Sequence, residues 1–248
     1  MEMTDEIKKA KKVLQDLKKQ ELENKKLELA PTEVEGISVG YKTVGGKKVK
    51  YSVRDNRDRI FFPAEWKKFF DQLTPKQKFT FEVLINTGAR INEAINVKKE
   101  DLFLDNKRLI LKVTKVKAVK NMKKPKPRLI MLSTQFSKKL KKETRNLKEE
   151  DKIGMLSKPG AHYALKTALK KSDIKNWQMI SIHNIRKTLE NWLWSLGVKE
   201  EKLVKYFGHD LKTASDHYLQ DDAYTFSEKD AMEEIIGDLA KRLKGESD

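Results

Sequence analysis

The chain has 248 residues, and its 54 lysines and arginines against 37 acidic residues give a formal net charge of +17. It contains no cysteine, which excludes disulfides, zinc–thiolate sites and cysteine nucleophiles. No apolar run approaches the roughly 18 residues that a membrane span needs, so we expect a soluble, cytoplasmic protein with no membrane partner. An excess of positive charge this large is typical of proteins that bind nucleic acid.

The positive charge is concentrated in one stretch. Residues 107–142 hold 12 lysines and 2 arginines and no acidic residue, whereas residues 219–248 hold 4 basic and 9 acidic residues. Because exposed protein faces usually mix the two signs, we predict that the basic stretch tracks DNA phosphates. Lysine accounts for 45 of the 54 basic residues. Abundant Lys and Glu without Cys is also the pattern of hyperthermophile proteins.

The chain begins with a predicted N-terminal region, residues 1–57. Apolar residues at heptad spacing predict a helix over residues 4–29, which Pro31 ends. Alternating apolar residues around Gly45-Gly46 then predict a hairpin within residues 37–53.

The rest of the chain reads as helices interrupted by one hairpin. Apolar residues at three- and four-residue spacing predict helices that begin at Pro63 and Thr74 and helices over residues 91–96, 134–147, 162–171, 182–196, 200–207 and 227–243. Two β-rich runs, residues 108–113 and 128–132, flank a loop rich in lysine and proline. The prediction is a mostly α fold with a small β-hairpin or sheet, of the α+β class.

The chemistry-bearing residues cluster in the second half. His183 and Arg186 are three apart at a helix start and share a face, Gly208 aims His209 outward, and Tyr218 follows nine residues later. Singly, such residues are more often exposed histidines or core tyrosines. Together they supply what phosphodiester transesterification needs without a metal: donors to the phosphate oxygens, imidazoles that move protons, and a tyrosine nucleophile. No acidic cluster is spaced for Mg²⁺, so we expect no metal and no cofactor.

Four segments resemble the tyrosine recombinase (phage integrase) family, which includes the Xer recombinases. Residues 87–94, Thr-Gly-Ala-Arg-Ile-Asn-Glu-Ala, resemble the family's first-arginine motif. Residues 183–188 resemble its His-x-x-Arg box, residues 207–209 its Leu-Gly-His box, and Tyr218 its nucleophile. The resemblance spans about residues 61–220 and implies a catalytic domain over residues 58–220 with the family's fold.

The resemblance also implies residue roles. The implied catalytic residues are Arg90, Lys115, His183, Arg186, His209 and Tyr218. Lys115 is the first choice for the family's hairpin lysine, Lys117 is the second, and three further lysines stay open: Lys120, Lys123 and Lys124. The predicted contacts to DNA phosphates are Lys112, Lys117, Lys120, Lys123, Lys124, Lys126 and Arg128.

Several neighbouring residues have a second, structural interpretation. We interpret Tyr224 as a packing residue, because only Tyr218 has the family spacing from His209. We interpret His162 as a structural or exposed residue. His217 adjoins the nucleophile and is either a modulator of the site or a surface neighbour. Glu93 is expected to orient its helix or to pair with a basic residue.

The resemblance implies a site-specific recombinase that acts on double-stranded DNA as a homotetramer and needs neither metal nor ATP. Two alternatives stay open: a type IB topoisomerase-like relaxing enzyme, and a non-catalytic DNA-binding protein of the same fold. The family usually carries a helical N-terminal clamp, so residues 1–57 are expected to be a reduced or truncated clamp. The acidic tail, residues 221–248, is expected to pack its amphipathic helix on a neighbouring subunit or in its own chain. An archaeal plasmid or virus is the expected source.

Overall fold

In the computed structural model the chain divides into two compact units, Met1–Asp55 and Asn56–Asp248. The structure describes residues 37–44, 47–54, 59–112, 127–208 and 224–246. In the first unit, strands β1 (Ile37–Val44) and β2 (Lys47–Arg54) pair antiparallel, with Val44 opposite Lys47. The predicted hairpin is therefore confirmed, while the predicted helix over residues 4–29 lies outside the described residues.

The second unit begins with two helices that start on proline. Helix α1 is Pro63–Asp71 and helix α2 is Pro75–Thr87, and each has its proline in the first turn. Proline suits this position because its fixed φ matches the helix and its missing N–H would have no helical partner there. A single turn, α3 (Ile91–Ala94), follows after Gly88.

A small antiparallel sheet follows, in the order β3 (Leu102–Phe103), β4 (Arg108–Leu111) and β5 (Arg128–Met131). Arg108 lies opposite Met131, and Leu111 lies opposite Arg128. The predicted pair of strands is confirmed with slightly shorter bounds. Strand β3 was not predicted, because two residues give no readable alternation.

Four helices come next: α4 (Thr134–Glu143), α5 (Lys158–Lys171), α6 (Ile182–Ser195) and α7 (Glu200–Phe207). Two predicted bounds were wrong. Helix α4 ends before residue 147, because the backbone leaves helical geometry at Thr144, with φ −100° and ψ 6°. Helix α5 begins four residues earlier than predicted, because the hydroxyl of Ser157 caps its first turn.

The predicted C-terminal helix is two helices, α8 (Phe226–Ile236) and α9 (Leu239–Lys244). Gly237 separates them with φ +63° and ψ −147°, a conformation that residues with a Cβ rarely adopt. The apolar stripe lies in the core of this same chain, and its buried members are Met232, Ile236, Leu239 and Leu243. Of the two alternatives for this stripe, packing within its own chain is therefore the observed one.

The core of the second unit surrounds α6. Its largest fully buried side chains are Trp192, Phe61, Phe69, Phe81 and Phe207. Among these rings, Phe69 meets Phe81 edge to face at a centroid distance of 5.0 Å. Burial of each such side chain contributes about 1.5–3 kcal/mol, so this cluster fixes α6 on α2. Among the described helices, none is long and apolar enough to cross a membrane.

Candidate active site

Gly88 fixes the turn that presents Arg90. It ends α2 in the left-handed conformation at φ +57°, and its N–H donates to Leu84 O at 2.9 Å. A Cβ on Gly88 would lie 2.3 Å from Phe207 Cε1, so only glycine lets the two segments approach. Arg90 then stands at the N-cap of α3, with an exposed side chain.

Glu93 is a buried carboxylate that joins two arginines. Its side chain is 3% exposed, and it accepts from Arg90 N and Nη1, each at 3.0 Å, and from Arg128 Nη2 at 2.7 Å. Burial by itself raises the pKa of Glu93, but Arg128 and then Arg90 outweigh burial, so this pKa lies below its usual range. The expected pairing of Glu93 with a basic residue is confirmed.

Arg128 connects strand β5 to Glu93 and to the end of helix α7. From β5 its Nη1 donates to Tyr206 O at 2.8 Å and to Phe207 O at 2.5 Å, while Nη2 binds Glu93. Only 12% of its side chain is exposed. A contact with DNA was predicted for Arg128; the structure instead places its guanidinium against protein partners, because Glu93 and the last carbonyls of α7 attract it.

Arg186 joins the same segments from the other side. It is 3% exposed, and it donates to Gly88 O at 2.7 Å and to Phe207 O at 2.5 Å. Its guanidinium also lies 5.0 Å from the centroid of the Phe207 ring. Burial, with Arg90 and Arg128 nearby, lowers its pKa to about 10, so Arg186 stays charged at neutral pH. Two arginines therefore hold the end of α7, directly before Gly208.

His183 lies in the first turn of α6 and keeps an exposed edge. It lines a cleft of about 240 Å³ together with Arg90 and Arg186. Desolvation by the surrounding protein lowers the pKa of His183 to about 4, with further lowering by Arg186, Lys187 and Arg90. Its imidazole is therefore neutral at pH 7 and able to accept a proton.

Two residues of the cleft were not predicted as site residues. His162, on α5, lines this same cleft, as does Lys158 one turn earlier. Their positions outside every motif gave no sequence signal, because only the packing of α5 beside α6 brings them there. A larger cavity, of about 600 Å³, lies between α2 and α4 and holds none of the predicted catalytic residues.

Of the six predicted catalytic residues, the structure brings Arg90, His183 and Arg186 together. The others, Lys115, His209 and Tyr218, lie outside the described residues, as do five of the predicted DNA-contacting lysines: Lys117, Lys120, Lys123, Lys124 and Lys126. His217 also lies outside them.

Lys112 and Tyr224 are both described. Lys112 pairs with Asp101 at 2.5 Å and with Glu100 at 3.3 Å, and these hydrogen bonds raise its pKa. About half of its side chain remains exposed, so its predicted contact with DNA stays a prediction. Tyr224 is 7% exposed, and its hydroxyl donates to Asn191 Oδ1 at 2.6 Å. Burial raises the pKa of Tyr224, and its predicted packing role is confirmed.

The cleft suits an anion. Its lining includes two guanidiniums, two imidazoles and one ammonium group, and none of its lining residues is acidic. Over the part of the chain that the structure describes, no cluster of three or more His, Asp or Glu residues could hold a metal ion. Planar guanidiniums beside a neutral imidazole are an arrangement that can bind a phosphate and move a proton near it.

Comparison with known proteins agrees with this geometry. The sequence profile of the phage integrase family matches residues 63–224. Among solved structures, XerA recombinase is similar with a TM-score of 0.51 and 15% identity, over 71% of this chain and 64% of that one. The Tn1549 transposon integrase in complex with transposon right end DNA has a TM-score of 0.54 and 16% identity, over 73% and 66%. The chain thus spans somewhat less than two thirds of either structure. A search of the curated proteins found no match.

Proposed function

The chain belongs to the phage integrase family, and on that premise we propose that it is a site-specific recombinase that cleaves and rejoins DNA strands. The observation that carries the proposal is the cleft in which Arg90, Arg186 and His183 meet without a carboxylate. Phosphoryl transfer depends mostly on positioning and on stabilising charge at the non-bridging oxygens, which two guanidiniums can do. A phosphodiester is therefore the substrate that this cleft fits best.

The proposed reaction is a transesterification in two steps. The Tyr218 oxygen forms a bond to phosphorus, the bond from phosphorus to the 5′ oxygen breaks, and a 3′-phosphotyrosyl link results. Arg90 and Arg186 hold the phosphate, and Lys115 gives the leaving 5′ oxygen its proton. His183 and His209 take up the tyrosine proton and bind the oxyanion. The 5′ hydroxyl of a second strand then attacks the phosphotyrosyl link and releases Tyr218. The reaction therefore needs neither ATP nor a metal.

Double-stranded DNA is the proposed partner. The structural neighbour from Tn1549 is described in complex with transposon DNA, and residues 107–142 of this chain carry 14 basic residues and no acidic one. We propose that a homotetramer assembles on two DNA sites. Its interface lies elsewhere than the apolar stripe of α8 and α9, which is buried in its own chain. The lysine-rich composition supports a hyperthermophilic host, with an archaeal plasmid or virus as the proposed source and the cytoplasm as the compartment.

Covalent trapping tests the proposal. The protein is incubated with a pool of nicked duplexes of randomised sequence, so that cleavage near the nick releases a short fragment and leaves the protein attached. We expect an adduct that survives denaturation, and we expect joining when a second duplex with a free 5′ hydroxyl is added. Relaxation of supercoiled DNA without joining between duplexes would indicate a topoisomerase instead. DNA binding without any adduct would contradict the proposed chemistry.

A further inference from the structure

We propose that His162 and Lys158 form a second phosphate subsite in the cleft, which binds a DNA backbone phosphate next to the one that Arg90 and Arg186 hold. The proposal rests on the proposed function for the identity of the anion. It adds two residues, both on α5, that belong to none of the motifs by which the family is recognised.

The two residues lie in the same cleft as the motif residues. Both line the cleft of about 240 Å³ that Arg90, His183 and Arg186 also line. Lys158 and His162 are four residues apart on α5, so their side chains lie on one face of the helix. Arg90 and Arg186 come from α3 and α6, which leaves α5 to supply its own contacts to a strand that passes through the cleft.

The side-chain contacts of the two residues point the same way. Neither the imidazole of His162 nor the ammonium group of Lys158 forms a hydrogen bond or an ion pair with any residue that the structure describes. His162 is nevertheless half buried, and burial of a polar group without a partner is unfavourable. By contrast, Arg186 and Arg128 each direct part of their guanidinium at backbone carbonyls of the protein. Helix α5 therefore brings to the cleft two donor side chains that no described residue engages.

The charges around His162 make its protonation depend on the ligand. Burial lowers its pKa, and Lys158 and Lys166 on the same helix lower it further. The other ionisable groups of the cleft are Arg90, His183 and Arg186, and none of them is acidic. A bound phosphate opposes these positive charges, so its binding favours the protonated imidazole. We therefore expect His162 to contribute to DNA affinity at low pH and to contribute little at high pH.

Salt dependence measures this contribution directly, because each neutralised phosphate changes the slope of log affinity against log salt by about 0.9. The probe is a fluorescein-labelled duplex of random sequence, followed by anisotropy at about pH 5 and about pH 8. We expect Lys158→Gln to lower the slope by about 1 at both pH values and His162→Gln to lower it by about 1 only at the lower pH.

Two matched variants on α5 serve as controls. Tyr163 is 73% exposed and Lys170 is an exposed cation, and neither lines the cleft. We expect Tyr163→Gln and Lys170→Gln to keep the wild-type slope. An unchanged slope for His162→Gln at both pH values, or an equal loss for Lys170→Gln, would overturn the subsite. Because this measurement needs no cleavage, a failure of the subsite can be distinguished from a failure of the proposed cleavage chemistry.

Discussion

At the scale of single residues, charge decides how the cleft behaves. His183 lies beside Arg90 and Arg186, and desolvation together with these cations lowers its pKa to about 4. An imidazole that is neutral at pH 7 can accept a proton from a nucleophile, whereas a protonated one cannot. Arg186 remains charged because its pKa, lowered to about 10, still lies well above neutral pH.

The lowered pKa of His183 predicts a pH-dependent stability. In the unfolded chain its pKa is about 6.5, so between pH 6.5 and pH 4 the unfolded state binds the proton more readily than the folded state. The free energy of unfolding therefore falls as the pH falls through this window. We expect His183→Gln to lose less stability than the wild type between these pH values, as measured by urea unfolding followed by tryptophan fluorescence. Tyr163→Gln, the control, should behave like the wild type, and identical losses in all three proteins would contradict the prediction.

At Gly88, the backbone conformation and the packing both require a glycine. Its positive φ and its closeness to Phe207 both exclude a Cβ. Gly88→Ala should lower the free energy of unfolding by about 2–4 kcal/mol, from left-handed strain plus overpacking. Gly197→Ala is the matched control, because Gly197 has φ +84° but no atom within 4 Å of the point where a Cβ would lie, and it should lose about 1 kcal/mol. Chemical denaturation measures both, and equal losses would show that the contact with Phe207 is unimportant.

At the scale of elements, the site is held by carbonyls at the ends of helices. Gly88 O, at the end of α2, accepts from Arg186, and Phe207 O, at the end of α7, accepts from Arg186 and Arg128. Glu93 ties Arg128 to α3. One connected network thus joins the turn that carries Arg90 to the segment just before His209, which explains why the family's separate motifs meet.

This network predicts that Arg128 positions the residues that we propose to be catalytic. Arg128→Lys keeps a positive charge near Glu93, but one ammonium cannot also reproduce the bidentate geometry toward α7. We expect single-turnover formation of the adduct, at saturating DNA, to slow by about 10- to 100-fold while DNA affinity changes little. Arg108→Lys, at an exposed arginine in the same sheet, is the control and should keep the wild-type rate. A loss of affinity without a loss of rate would indicate that Arg128 contacts DNA after all.

At the scale of the whole molecule, sequence periodicity predicted most helices because burial follows the same period. Predictions from the sequence were wrong where the outcome depends on residues that are far apart in the chain. The partners of Arg128 are 35 and 78 residues away in sequence, so a basic residue in a basic stretch looked like a DNA contact. The break at Gly237 depends on tertiary packing, since Gln135 and Ser133 leave no room for a Cβ there. His162 joined the cleft only through the packing of helices.

The motif residues were predictable for a different reason. Residue type and spacing already indicate the chemistry of Arg90, His183 and Arg186. In the folded chain all three line one cleft, as the resemblance implied. The cluster of buried aromatic residues around Trp192 and Phe207 places α6 and α7 for this purpose. Stability and site geometry therefore share residues, and variants such as Gly88→Ala should affect both.

The tyrosine that becomes joined to DNA can be identified directly. The nicked duplex pool is offered to the wild type, to Tyr218→Phe and to Tyr224→Phe, and adducts are digested and the DNA-linked peptide is identified by mass spectrometry. Tyr224 is a demanding control, because it is a nearby buried tyrosine held by Asn191. We predict an adduct on Tyr218 in the wild type and in Tyr224→Phe and none in Tyr218→Phe. An adduct that persists in Tyr218→Phe would contradict the account.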